Sequence, residues 1–381
     1  MSVPQNSSLN MTTLPLLEDL GDVRGKRVLV RTDFNVPMSG ADDARVIVDD
    51  FRIISALPTI KYLTDRGATV VCASHLGRPK GLPSTKYSMA PVRTRLTELA
   101  PGVELLENLR FNPGEESNDA QFVAELIAGF DLYVDDAFGA THRAHASIVG
   151  PPKTLPSAAG RLLEREIEVL GALREKPNRP FVAVLGGAKV SDKIGVIEAL
   201  QERVDAFIIG GGMCFTFLAA KGYPVGESIC QPELIEVCKK LLDGNVPIHL
   251  PEDIVGLDAD GAYATYGIRL PKGAKGLDIG PGSAAAFTDI IMDARSVFWN
   301  GPMGMFEDTR FANGTRTIAQ AMADTKAFTV VGGGDSAAAL AQFNLDDEVD
   351  HVSTGGGASL EYLELGDLPG LEALRGAPRV K

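Results

Sequence analysis

Residues 181–189, Phe181-Val182-Ala183-Val184-Leu185-Gly186-Gly187-Ala188-Lys189, decide the fold. Five apolar residues in succession leave no polar face for water, so the run reads as a strand buried on both sides of a sheet. The two glycines that follow permit a tight turn and a close backbone approach to a ligand. The same grammar recurs along the chain. Short apolar runs at Val28–Arg31, Thr69–Ala73, Leu132–Val134, Ala206–Ile209, Val297–Trp299 and Phe328–Val331 alternate with amphipathic helical stretches such as Phe51–Arg66, Ala120–Ala128 and Pro232–Leu242. Strands that are apolar throughout and separated by helices predict an α/β protein with two doubly wound parallel sheets, that is, two Rossmann-like domains.

Gly160–Lys176 reads as one charged helix, and Lys176-Pro177-Asn178-Arg179-Pro180 stops it. The predicted organisation is a first domain over 1–160, a joining helix over 161–178 and a second domain over 179–360, with a cleft between the domains. A chain of 381 residues, 45% hydrophobic and 23% charged, is long enough for two cores. Of the net charge of −13, residues 1–160 carry 16 basic and 19 acidic side chains, and residues 161–381 carry 21 and 31. The whole is acidic, which argues against general nucleic-acid binding, while the first half is relatively basic. The four cysteines form no CxxC pair and read as buried thiols in a reducing compartment. Residues 1–12 are polar and lack the basic start and apolar core of a signal peptide. The longest apolar stretch, Phe207–Ala220, is glycine-interrupted and too short to span a membrane. A cytoplasmic protein is expected. Met11 is an alternative start.

In open α/β sheets ligands bind beyond the carboxyl ends of the strands. In the first half those positions hold Asp33 and Asn35, His75 and Arg78, Arg110, and Arg143. In the second half they hold glycine turns: 186–187, 210–212, 280–282, 301–304, 332–334 and 355–357. Such turns lead into helices and suit phosphate groups. One half presents cations and the other glycine turns, so an anionic substrate facing a nucleotide is expected. There is no GxxxxGK[ST] loop, no GxGxxG at a strand–helix turn, and no GxSxG, HExxH or protein-kinase set. His142 and His145 are spaced like a metal pair but lack a third ligand nearby, and read instead as groups that position arginine and backbone.

The ordered motifs RTDFNVP (31–37), SHLGRP (74–79), ENLRF (107–111), DAFGATHRAHAS (136–147), LGGAKVSDKI (185–194), GGGMCFTF (210–217), LDIGPGS (277–283), WNGPMGMFE (299–307), GGGDSAAA (332–339) and STGGGASLE (353–361) resemble phosphoglycerate kinase. The resemblance runs from residue 24 to 371. It implies reversible phosphoryl transfer from 1,3-bisphosphoglycerate to ADP, giving 3-phosphoglycerate and ATP with Mg²⁺. It implies that Asp33, Asn35, Arg52, His75, Arg78, Arg110 and Arg143 bind the glycerate substrate. Gly187, Lys193, Gly211, Asn300, Pro302, Gly304, Glu307, Gly332, Gly333, Gly334, Asp335 and Ser336 would bind the nucleotide, with Ser336 donating to phosphate. Asp335 would hold Mg²⁺, and Arg52, Lys189 and Gly333 would serve the transfer. It further implies a monomer whose halves close on their ligands and a C-terminal segment, 361–381, packed back on the first domain. A carboxylate acceptor is already ionised at neutral pH, so positioning and charge neutralisation are the work left to the protein.

The chain departs from the family pattern at Thr32, at Asp135, in the order Ala140-Thr141 and in the run 360–366. Two rival readings are a kinase for another small acid, which a changed basic cluster would signal, and a non-catalytic anion-binding protein, which would have no need of Lys189, Lys193 or Asp335.

Overall fold

The computed structural model describes residues 14–380 apart from Asp43; the alternative start at Met11 lies outside them. The chain divides into two compact units. Among the described residues, one comprises 14–168 together with 367–380, and the other runs from Val169 to Gly366. The helix Arg161–Glu175 passes through the division.

The first unit holds strands β1 (Arg27–Thr32), β2 (Met38–Ser39), β3 (Val46–Ile47), β4 (Thr69–Ala73), β5 (Glu104–Leu105), β6 (Leu132–Asp136) and β7 (Ser157–Ala159). Five of them form a parallel sheet in the order β5-β4-β1-β6-β7. Val28 pairs with Val70 on one side and with Leu132 on the other. Every residue of β1 after Arg27 is buried, which accounts for the apolar run Val28–Val30 and leaves Arg31 and Thr32 as buried polar residues. The helix Phe51–Thr64 lays Ile53, Ala56, Ile60 and Leu63 on this sheet at helical spacing. The C-terminal helix Pro369–Arg375 belongs to the same unit, with Ala373 packed on Ala137, Ala140, Ile148 and Val149.

The second unit adds β8 (Phe181–Leu185), β9 (Ala206–Ile209), β10 (Ile248–His249), β11 (Asp253–Leu257), β12 (Tyr263–Gly267), β13 (Lys275–Ile279), β14 (Ser296–Asn300), β15 (Phe328–Gly332) and β16 (His351–Val352). Its parallel sheet runs β10-β9-β8-β14-β15-β16. In each sheet the chain winds outward on one side of its first strand and then crosses to the other. The reversal falls at β1/β6 in one unit and at β8/β14 in the other, and such a switch point opens a crevice for ligands.

A small antiparallel sheet, β12-β11-β13, lies between the β10 strand and the helix Pro281–Asp293, where the sequence predicts no sheet. The alternating exposure of Tyr263–Gly267 marks a half-covered strand, and a bulge between Val255 and Gly256 breaks the register. This sheet turns the reading of the 280–282 glycines. Asp253 on β11 accepts from the Gly282 and Ser283 amides at 3.0 and 2.7 Å, so that helix start is already occupied by a carboxylate of the chain.

At the head of the joining helix the Asp136 carboxylate accepts from the Leu162 and Leu163 amides at 2.9 and 3.2 Å. Its neighbour Asp135 takes the Ala137 amide at 3.0 Å and faces the Thr141 hydroxyl at 3.5 Å. Two of the departures from the family pattern, Asp135 and Thr141, therefore meet each other. Burial raises both carboxyls, Asp135 to about 6 and Asp136 to about 7. A raised carboxyl binds its proton more readily folded than unfolded, so its stabilisation is complete below the unfolded value and is lost as pH rises through the folded one. Asp136→Asn should therefore remove a stability slope, at most about 1.4 kcal/mol per pH unit, between roughly pH 4 and 7. The check is chemical unfolding of wild type and variant at pH 5, 6, 7 and 8. The variant must gain on the wild type as pH rises.

Candidate active site

In the first unit the loop after β1 carries Asp33, 5% exposed, whose carboxylate is paired with Arg52 from the first turn of the helix Phe51–Thr64. Burial opposes the charge of Asp33, but its cationic neighbours, Arg52 foremost, outweigh burial and bring its pKa down to about 2. The Asn35 backbone amide donates to Asp33 Oδ1 at 3.3 Å. The Asn35 Oδ1 accepts from the Gly77 amide at 2.8 Å, joining the loop after β1 to the loop after β4. Arg110 donates to the Gly77 carbonyl at 2.9 Å and lies 3.3 Å from Glu116. Arg78 and Arg143 are exposed on the same unit. All seven residues expected to meet the acid substrate thus stand on loops or helix starts of one unit.

Beneath them lies a layer of which the sequence reading named only His142 and His145. Arg31, on β1 itself, is 1% exposed and lies 3.9 Å from Glu115, which is wholly buried. Glu115 accepts from the Ser147 amide at 3.0 Å and its hydroxyl at 2.6 Å. His142 and His145 are pushed down to about 4, chiefly by burial and then by neighbouring arginines. Both are uncharged at neutral pH, and their Nδ1 atoms are buried without hydrogen-bond partners. Among the described residues no three His, Cys, Asp or Glu side chains group to hold a metal by themselves. The positive charge of this face is therefore carried by arginine, whose planar fork takes two oxygens of a phosphate or carboxylate at once.

In the second unit the switch point is built from backbone. The Gly187 amide donates to the Pro302 carbonyl at 2.8 Å, the Gly211 amide to Met303 at 3.0 Å, and the Met213 amide to Gly187 at 3.0 Å. These bonds pull the loops after β8, β9 and β14 together. Gly211 has φ +62°, and a Cβ there would lie 2.6 Å from both the Gly187 nitrogen and the Pro302 oxygen, so only glycine fits. The loops wall a cavity of about 280 Å³ lined by Gly187, Gly211, Pro302, Gly304, Glu307 and Asp335, and by residues of β13. Of these, Asp278 escaped the sequence reading. It is 4% exposed, accepts from the Gly314 amide at 2.7 Å, and burial raises its carboxyl to about 7.

The remaining expected residues sort by what they touch. Lys193 is buried with its ammonium on Asn300 Oδ1, and burial lowers its pKa to about 8 against the pull of Asp192 and Asp335. Asn300 is thus the partner of Lys193 and lies off the cavity wall. Lys189 is exposed at the head of the short turn Val190–Asp192. Ser336 is wholly buried, and its hydroxyl accepts from the Gly301 amide at 2.7 Å, tying the turn after β14 to the helix Gly334–Phe343 and leaving its own O–H to donate. That helix begins after Gly333, at φ +100°, with no side chain capping its first turn. Gly332 ends β15, and Gly334 has open space around it. Unlike the start at 280–282, this one leaves amide donors available to an anion, beside the exposed Asp335.

Two doubly wound units, one armed with guanidinium groups and the other with a glycine-built cavity beside an open helix start, define a phosphotransferase acting between a nucleotide and a small acid. The comparisons with known proteins give the family. The model of the phosphoglycerate kinase family matches residues 17–104 and 100–365. The chain is 51% identical to the phosphoglycerate kinase of Parafrankia sp., over 94% of this chain and 99% of that protein. It is 49% identical to that of Rubrobacter xylanophilus, over 93% and 96%. The solved phosphoglycerate kinases of Coxiella burnetii and Pyrococcus horikoshii superpose with TM-scores of 0.81 and 0.84, at 38% and 32% identity, covering 93% and 95% of this chain and 97% and 99% of those. The chain belongs to the phosphoglycerate kinase family.

Proposed function

We infer that this chain interconverts 1,3-bisphosphoglycerate and ADP with 3-phosphoglycerate and ATP, a glycolytic step, and that it uses the nucleotide as its Mg²⁺ complex. The observation that carries this reading is the complete acceptor-side set. Arg52, His75, Arg78, Arg110 and Arg143 are all present on one unit beside Asp33 and Asn35, so nothing in the basic cluster points to a different small acid. The arginines and the neutral His75 receive the phosphate and carboxylate oxygens, and Asp33 fixes Arg52. On the nucleotide side the 187, 211 and 302–304 loops hold the nucleoside, and Glu307 accepts from the ribose hydroxyls. Lys189, Lys193 and the amides following Gly333 take the phosphates. The acceptor carboxylate needs no general base, so the gain comes from alignment and from cations placed against the moving phosphoryl group.

Asp335 fits a Mg²⁺ carried in with the nucleotide. It is an exposed carboxylate on the cavity wall and the one that stands at the open helix start, and Mg²⁺ takes one or two protein carboxylates together with phosphate oxygens. When bound, the ion offsets the charge of the nucleotide phosphates. Asp335→Ala should raise the Mg²⁺ concentration needed for half-maximal turnover several-fold, with partial recovery at high Mg²⁺. A titration matching wild type would remove Asp335 from this role. Among the described residues no helix is long and apolar enough to cross a membrane. The protein is proposed to act as a cytoplasmic monomer with no nucleic-acid or membrane partner. A spectrophotometric assay coupling 3-phosphoglycerate, ATP and Mg²⁺ to NADH oxidation tests the function, and absence of turnover would refute it.

A further inference from the structure

Arg31 approaches the acceptor-side residues from below and makes three directed contacts. Its Nε donates to Ser147 Oγ at 2.8 Å, Nη1 donates to the Thr32 carbonyl, and Nη2 lies 3.3 Å from His75 Nδ1. A guanidinium carries five N–H donors and no acceptor. Its contact with His75 is therefore a hydrogen bond only if Nδ1 keeps its lone pair and the ring proton resides on Nε2. The other polar neighbour of Nδ1 is Asp33 Oδ1, at 3.8 Å, too far to accept from it, and that carboxylate is committed to Arg52. The aim of the guanidinium is itself set from behind. Glu115 lies 3.9 Å from Nη2 and grips the amide and hydroxyl of Ser147, the residue that receives Arg31 Nε.

We infer that Arg31 is a positioning residue that fixes the tautomer of His75, so that the acid substrate meets a neutral imidazole donating from Nε2. The inference rests on the reading of this unit as the 3-phosphoglycerate site. Its chemistry is that of a fixed donor. A neutral Nε2–H offers one hydrogen bond to a phosphate, carboxylate or hydroxyl oxygen and does not change charge when the ligand arrives. A histidine free to protonate would instead exchange a proton with the medium on binding an anion. The charged groups facing His75 are Asp33, Arg31, Arg110 and Arg52, three cations to one anion. Burial first, and then that surplus of arginine, hold the imidazole well below its usual range.

The test begins with the full-length, ligand-free protein, labelled with ¹⁵N-histidine. Two-bond ¹H–¹⁵N correlation spectra at pH 5.5–8 should show His75 neutral, with Nδ1 unprotonated and the proton on Nε2. In Arg31→Met the Nδ1 lock is gone, so His75 should begin to titrate or mix tautomers in that range. The KM for 3-phosphoglycerate should rise tenfold or more, while the KM for ATP stays within twofold and kcat within threefold. Arg31→Lys, which retains a donor and a charge, should recover part of the KM. Should Arg31→Met fail to fold because Glu115 is left unpaired, the double variant Arg31→Met/Glu115→Gln removes both charges and carries the same expectations. A proton on Nδ1 in the wild type overturns the inference, as does a variant that keeps the wild-type tautomer and pH behaviour, or one whose tautomer changes with no change in KM. Failure of the wild type to turn over 3-phosphoglycerate at all would refute the proposed function and not the tautomer, which the spectra decide by themselves.

Discussion

Lys189→Ala is expected to lower kcat by a hundredfold or more while leaving the affinity for 3-phosphoglycerate within about twofold. The lysine stands exposed beyond the 186–187 glycines, one residue before a tight turn, on the unit that holds the nucleotide cavity. Among the described residues none takes a hydrogen bond or ion pair from its side chain, while its neighbour Val190 supplies the packing and Lys193 makes the buried contact to Asn300. An exposed cation with no structural duty at a strand end is free to meet charge that develops during transfer. A preorganised donor in that position is worth about 3 kcal/mol or more, which is the hundredfold. The measurement is steady-state kinetics with both substrates varied, together with thermal unfolding, which should be unchanged. A kcat within threefold of wild type would assign the neutralising role elsewhere on the nucleotide side, with Lys193 next in line.

What the sequence yielded and what it withheld follow from the range of the forces involved. Strands such as Phe181–Leu185 and Thr69–Ala73 were legible to the residue because a strand buried on both faces has no choice but to be apolar. The edge strands Glu104–Leu105, Ile248–His249 and His351–Val352 are two residues long, too short for any period to show. The antiparallel sheet was hidden by Gly256 and Gly276, whose bare backbones let its strands approach closely but blur the alternation. The cationic residues were legible because an arginine after a buried strand has no packing reason to be there. Arg31 sat within a quoted motif yet passed unassigned, since its partner Ser147 lies 116 positions away and a charge in mid-strand has no local signature. The bond that ties Ser336 to the turn after β14 was out of reach for a related reason, since the Gly301 amide lies 35 positions away.

The second large effect is one of stability and concerns Glu115. Arg31 and Glu115 are 1% and 0% exposed, and removing both from water is repaid by their mutual attraction, by the bonds through Ser147 and by the contacts of Arg31 with the Thr32 carbonyl and His75. Glu115→Ala leaves the guanidinium buried without the carboxylate that lies within ion-pair distance of it and strips the Ser147 amide of its acceptor. The expected loss is about 3–5 kcal/mol, a large share of the 5–15 kcal/mol that typically holds a protein folded. An exposed pair such as Lys61–Asp65 gives the contrast, because water screens it and its removal should leave the unfolding midpoint where it was. Urea unfolding of Glu115→Ala, Glu115→Gln and Lys61→Ala measures both expectations. Glu115→Gln should fall between wild type and alanine, since an amide oxygen still accepts from Ser147 while the charge is gone. Should alanine cost less than about 1 kcal/mol, water must be reaching Arg31. The layer beneath the acceptor site would then be a wet pocket and not the dry ionic floor from which Arg31 is aimed.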